Sequence, residues 1–162
     1  MLRGSTIWES EMTDFLETTS GKFIFRVKVD YFYSKEDFWA DIKGNVATIG
    51  VADFLEKSKG DVAFLETVEP GTPIRMGQEL GKIETIKATF GIISPVTGKV
   101  ISVNSELEAR PQLINSDPYG AGWVYKIELA NAKEAKGALL GAENYMELMK
   151  AKIEREAKKL YG

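Results

Sequence analysis

The chemistry available to this chain comes from amines, carboxylates and hydroxyls, because its 162 residues include no His and no Cys. Without imidazole there is no Ser-His-Asp relay, no histidine acid–base pair and no ordinary zinc or copper site. Without thiols there are no disulfides, thiolate nucleophiles or iron–sulfur ligands. Paired carboxylates and a reactive lysine amine remain. The 21 Lys and Arg and 24 Asp and Glu give a net charge of -3, which provides no global basic field for nucleic acid. By spacing alone a lysine such as Lys87 reads as one more solvated surface cation.

The elements around such groups follow from punctuation and period. Phe23, Phe25, Val27, Val29 and Tyr31 alternate with polar residues, the period of a half-buried strand. Lys43-Gly44-Asn45 is a turn signal, followed by a short strand over 46–51 and one or two helical turns over 52–59, closed by Gly60. Further strands are expected over 61–68, 80–86, 90–93, 99–103 and 123–129. Between them, Glu69-Pro70-Gly71-Thr72-Pro73, Met76-Gly77-Gln78, Pro95-Val96-Thr97-Gly98 and Asp117–Gly122 carry turn chemistry that disfavours helix and ladder. Short strands this closely spaced indicate an antiparallel sandwich or partly closed barrel. Two turn-then-strand halves, one leading into Ile83–Ile86 and one into Val100–Val103, form a weak internal echo about Lys87-Ala88. Ile86-Lys87-Ala88-Thr89 itself lacks the Asn-Gly or Gly-X signature of a two-residue hairpin.

After Asn131, a helix cap, apolar residues recur at three and four: Ala135, Ala138, Leu139, Ala142, Tyr145, Met146, Met149, Ile153 and Leu160. A break is expected near Gly141 and a firmer helix over 142–160, with Lys158 and Lys159 at its negative end. Residues 1–21 read as an N-terminal extension with a short helix over Glu11–Glu17, residues 22–130 as a β domain, and 131–162 as a C-terminal helical segment. Glu9, Glu11 and Asp14 interrupt any apolar stretch of the kind a secretion signal needs, and no run approaches the roughly 20 apolar residues of a membrane span, so a cytoplasmic location is expected.

Glu84-Thr85-Ile86-Lys87-Ala88 resembles the lipoylation site of the glycine cleavage system H protein family, in which a Glu-Ser-Val-Lys-Ala stretch presents the modified lysine on a β-turn. The likeness is wider than this pentapeptide. Val46–Asp53, Gly60–Glu66 and Ser94–Val100 resemble successive family blocks, as do Asn104, Leu107, Pro111, Leu113 and Asn115, and the loop Asp117-Pro118-Tyr119-Gly120-Ala121-Gly122-Trp123. The blocks keep their order and spacing from about Tyr33 to Met149. The resemblance implies a mainly β barrel-sandwich hybrid with a C-terminal helix. It implies a carrier rather than an enzyme, with lipoic acid in amide linkage to Lys87 and no catalytic or metal-ligating residue. Glu84 is a candidate for recognition by the lipoate ligase or lipoyl/octanoyl transferase, although a solvated strand residue explains it equally well. The implied partners are glycine decarboxylase, aminomethyltransferase and dihydrolipoyl dehydrogenase. A biotin carrier shares the fold, but its site resembles Met-Lys-Met, and the flanks here are Ile86 and Ala88.

The likeness fails at one block. In Lys35-Glu36-Asp37-Phe38-Trp39, Trp39 is kept, while Asp37 and Phe38 stand where the family has His and Glu. If those positions shelter a loaded arm, that role is altered here. The extension before Tyr33 and the basic tail, Lys150–Gly162, also depart from the family pattern. Two alternatives therefore stand beside an H protein proper. One is an H-like lipoate-binding protein carrying sulfur for a heterodisulfide reductase-like complex. The other is an unmodified β-sheet interaction module.

Overall fold

A computed structural model describes residues 14–161. Six strands, β3 (Phe32–Tyr33), β4 (Phe38–Lys43), β5 (Val46–Val51), β7 (Pro73–Ile74), β10 (Gly98–Val103) and β11 (Tyr125–Leu129), form one sheet in the order β3-β4-β5-β11-β10-β7. The second sheet has the order β6-β8-β9, from β6 (Val62–Thr67), β8 (Glu79–Thr85) and β9 (Thr89–Ile93). All pairings in both sheets are antiparallel. The inward residues of the two sheets meet in one apolar core that includes Ile49, Leu80, Ile83, Ile92, Val100 and Ile127. The sheets stack without closing, the barrel-sandwich hybrid expected from the resemblance.

The β8–β9 hairpin carries both residues singled out in the sequence, Glu84 and Lys87. Its strand β8 does not alternate evenly: Leu80 and Ile83, three apart, are both fully buried. A bulge between Glu79 and Lys82 supplies the extra residue. Gly81 sits in it at φ 107°, where a Cβ would lie 2.0 Å from the Glu66 carbonyl oxygen. Beyond the bulge, Ile83 points in and Glu84 points out, which fixes the face that each tip residue presents.

A second apolar cluster lies outside the sandwich. Strands β1 (Phe15–Ser20) and β2 (Phe23–Lys28) form a two-stranded hairpin, and with helix α5 (Ala142–Tyr161) they bury Phe25, Val27, Tyr33, Trp39, Phe54, Tyr119, Tyr145 and Met149. Tyr33 and Tyr145 stack with ring centroids 4.4 Å apart. The Asp117–Gly122 loop locks into this cluster, for Trp39 Nε1 donates to Pro118 O at 2.9 Å and Tyr119 Oη donates to Arg26 O at 2.6 Å.

Several expectations change. The helix expected over Glu11–Glu17 is not formed where it can be seen: Phe15–Glu17 belong to β1, and the rest of that span lies outside the described residues, apart from Asp14, which is in a turn. Pairing with β2 decides this, because Phe15 and Leu16 pack on the aromatic cluster, a gain that local propensity does not contain. The single strand expected over Phe23–Tyr31 ends at Lys28, and the chain turns before β3. Strand β4 and the short helices α2 (Glu106–Ala109) and α3 (Leu113–Ser116) lack a strong local period. Helix α1 (Asp53–Lys59) and the two-part C-terminal helix are as read: α4 (Ala132–Ala138) starts with Asn131 Oδ1 accepting from Glu134 N, and the break before α5 holds Leu140, bridged to Tyr33. Among the described residues no helix is long and apolar enough to cross a membrane.

Candidate functional site: the tip of the β8–β9 hairpin

Lys87 lies at the tip of the β8–β9 hairpin, exposed, with Ile86 beside it 77% exposed. The turn closes without glycine because Thr85 supplies what the local signature lacks. Thr85 N donates to Ala88 O at 2.8 Å, and Thr85 Oγ1 accepts from Ala88 N at 3.0 Å and from Lys87 N at 3.3 Å. A hydroxyl bonding to the backbone two and three residues on is a side-chain mimic of a turn. Ile86 and Lys87 are thereby left as the two residues between the closing pair.

The tip rests on the loop after α1. Thr85 Oγ1 donates to Lys59 O at 2.8 Å, and Ile86 N donates to Asp61 O at 3.2 Å. Between those two contacts, Gly60 has φ 94°, and a Cβ built on it would be 3.2 Å from Lys87 Cε. The lysine stem therefore packs over Gly60, whose backbone conformation disfavours an L side chain there. Among the described residues no carboxylate lies within ion-pair distance of Lys87 Nζ. A supported stem with an unpaired amine suits acylation, which removes the charge and would break any ion pair present.

Glu84 is on the same hairpin and exposed, opposite Phe64 on one side and Thr89 on the other. The structure thus brings both residues singled out from the sequence, Lys87 and Glu84, to one exposed edge, three positions apart. Thr85, Gly60 and Asn115 were not given roles in holding the tip by sequence reasoning. The first was legible as a hydroxyl that competes for backbone bonds, and the second as a turn glycine. Asn115 Nδ2 donates to Gly60 O at 3.0 Å, a contact between α3 and the loop after α1 that no local signal foretells.

Asp37 and Phe38 are both taken up by the fold. Phe38 is buried in the sandwich core. Asp37, at φ 73°, is buried too; its Oδ1 accepts from Tyr145 Oη at 2.7 Å and its Oδ2 accepts from Lys152 Nζ at 2.7 Å. Asp37 also borders a cleft of about 320 Å³ between α1 and α5, whose wall includes Lys59, Lys152, Arg155 and Lys159.

This geometry has close relatives. The glycine cleavage H-protein family matches residues 31–152. The chain belongs to the glycine cleavage H-protein family. It is 42% identical over 123 residues to the glycine cleavage system H protein of Carboxydothermus hydrogenoformans, covering 76% of this chain and 94% of that one. It is 36% identical over 132 residues to glycine cleavage system H protein 4 of Aquifex aeolicus, covering 82% and 77%. The crystal structure of a glycine cleavage system H protein from Mycobacterium marinum superposes with a TM-score of 0.67 at 29% identity, over 74% of this chain and 95% of that one. H proteins are lipoyl carriers, not catalysts, and this H-family chain is a carrier rather than an enzyme. The match ends at Lys152, the residue that pins α5 to Asp37.

Proposed function

We propose that Lys87 holds the lipoyl group in amide linkage and that the chain carries glycine-derived aminomethyl cargo between glycine decarboxylase, aminomethyltransferase and dihydrolipoyl dehydrogenase in the cytoplasm, after loading by a lipoate ligase or lipoyl/octanoyl transferase. The supporting observation is the unpaired, exposed Lys87 amine on a two-residue tip whose backbone is hydrogen-bonded to a second loop. The residues present fit the group. The stem has a glycine floor, the amine faces solvent, and no protein thiol competes with the dithiolane that the lipoyl group supplies as its exchangeable sulfur pair. The chain's own part is presentation. The hairpin would hold the amide end of the group still and leave its free end to reach partner sites. Glu84 stands three positions before Lys87 on the exposed face of β8, available to a ligase that approaches the tip.

The test is intact mass and peptide mapping after incubation with lipoate, ATP and a lipoate ligase. One lipoyl group on the Lys87 peptide, absent in Lys87→Ala, is expected. No modification of the wild-type chain would leave an unmodified interaction module.

A second reading is set against it by one departure from the family. Asp37 and Phe38 are committed to the fold, so neither stands free to shelter a loaded arm as the family His and Glu would. The alternative to be tested is therefore an H-like carrier of sulfur for a heterodisulfide reductase-like complex. Reconstitution with glycine decarboxylase and labelled glycine separates the two: label retained on the loaded protein supports the aminomethyl carrier, and its absence supports the sulfur carrier.

A further inference from the structure

The geometry points to Glu56 and Asn115 as positioning residues for acyl transfer onto Lys87, acting through the backbone of residues 59–61. The inference rests on the reading of Lys87 as the attachment site.

Three consecutive residues make the seat. Lys59 O takes the Thr85 hydroxyl, Gly60 floors the Lys87 stem, and Asp61 O takes Ile86 N–H. Gly60, at φ 94°, is held locally by its cap bond to α1, and a long-range side chain adds to that. Asn115 fixes it from both sides. Its Oδ1 accepts from Val62 N at 2.8 Å, and its Nδ2 donates to Gly60 O at 3.0 Å and to Glu56 Oε1 at 3.2 Å. Both amide hydrogens and one lone pair of the oxygen are used, and each bond restrains the next. Gly60 N in turn donates to Glu56 O at 2.9 Å, closing α1. Asn115 comes from 55 residues along the chain, so the seat is a tertiary feature, not a loop preference.

Glu56 is the buried end of this chain of bonds, and it plays its part as a neutral acid. Its Oε2 has no hydrogen-bond partner among the described residues, a costly position for an ionised carboxylate. Burial and the neighbouring Asp53 carboxylate push its pKa up to about 9, against the smaller pull of Asn115 and Lys57. The groups facing it are Asp53 and Lys57 on its own helix, Asn115 from α3 and Tyr119 from the loop beyond. Lys57 Nζ is itself engaged by Asp53 Oδ2 at 2.9 Å, so it does not neutralise Glu56. A neutral carboxyl and a glutamine amide have nearly the same shape, and both offer Asn115 a carbonyl oxygen.

Glu56→Gln, Glu56→Ala, Asn115→Ala and Gly60→Ala, each in the full chain, distinguish this from mere structural support. The first readout is the rate of lipoate transfer by a lipoate ligase. The second is hydrogen exchange at the Ile86 amide, with the Ala52 amide, bonded to Asp37 O, as a distant control. Asn115→Ala and Glu56→Ala are expected to lower kcat/KM for transfer and to speed Ile86 exchange, each roughly tenfold, with Ala52 unchanged. Glu56→Gln is expected to stay within about twofold of wild type at neutral pH. Above pH 9, where Glu56 ionises, wild-type transfer should fall relative to Glu56→Gln. Gly60→Ala, strained at φ 94°, should slow transfer by displacing the seat itself without removing the Asn115 side chain, which keeps the test decisive if Asn115→Ala fails to fold. Wild-type protein that is acylated normally while all the alanine variants match it in transfer and in Ile86 exchange overturns this inference alone. Glu56→Gln as impaired as Glu56→Ala overturns the neutral-acid role. Wild-type protein never acylated at Lys87 overturns the carrier reading, and this inference with it.

Discussion

Lys87 and Lys152 are the same side chain put to opposite uses. Lys152 Nζ is 2.7 Å from Asp37 Oδ2 and 2.6 Å from Lys35 O, in a pair whose side chains are 22% and 7% exposed. It ties the last helix to the loop before β4, and its charge is consumed. Lys87 has its aliphatic stem supported and its amine left alone, while hydrogen bonds hold the backbone around it. One lysine is fixed at its charge, the other through the backbone around it. On the proposed function, the difference places rigidity at the root of the arm and leaves the reacting end unbound.

That contrast can be broken in graded ways. The largest effect belongs to Lys87→Arg, which keeps the charge and removes the acylable amine. Lipoylation should vanish by mass spectrometry while the melting temperature stays put, since an exposed, unpaired cation contributes little to stability. Phe38→Glu comes next. Reintroducing the acid typical of the family would bury a carboxylate in the sandwich core, costing about 3 kcal/mol or more in denaturant unfolding, so restoring the family residues at Asp37 and Phe38 together should destabilise the protein before it alters cargo. Asp37→Ala should cost about 2–4 kcal/mol, because it strands Lys152 half-buried and loses the Tyr145 bond, yet leave acylation of Lys87 within about twofold. Asp37→Asn should cost less, since Asn tolerates the left-handed backbone that Ala resists. The smallest effect, on stability against pH, is that of Glu56→Gln. Native Glu56 keeps its proton up to about pH 9, whereas the unfolded chain releases it near 4.5. The native state therefore binds more protons between those limits, and wild-type stability falls as pH rises through them. The variant should flatten that slope and unfold later than wild type at pH 8, by about 1 kcal/mol or more in a urea titration.

The two sites differed equally in how legible they were. Lys87 was found through ordered family blocks on either side of it, and its exposure followed once β8 and β9 paired. The turn itself went unread because its signature rests in the Thr85 hydroxyl and not in Asn-Gly. At Asp37 only the departure from the family was visible. Its consequence was hidden, since Tyr145 and Lys152 lie 108 and 115 residues away. For the same reason Glu11–Glu17 read as a helix: the partner that makes Phe15–Ser20 a strand is β2, and what it buries against is an aromatic cluster assembled from β2, β3, β4, α1, the Asp117–Gly122 loop and α5.

By itself the sequence determined the class of chemistry, through the missing imidazoles and thiols. It also determined the alternating and punctuated pattern of a β sandwich, and the lysine in its family block. Each of these is carried by residue type or by neighbours within a few positions. Only the tertiary structure decided that Lys152 is paired with Asp37 while no carboxylate among the described residues pairs with Lys87, that Phe38 is core, and that Glu56 and Asn115 are hydrogen-bonded behind the loop under the hairpin tip. Charge state, burial and hydrogen-bond partnership are properties of what surrounds a side chain, and in an antiparallel fold those surroundings are drawn from across the whole chain.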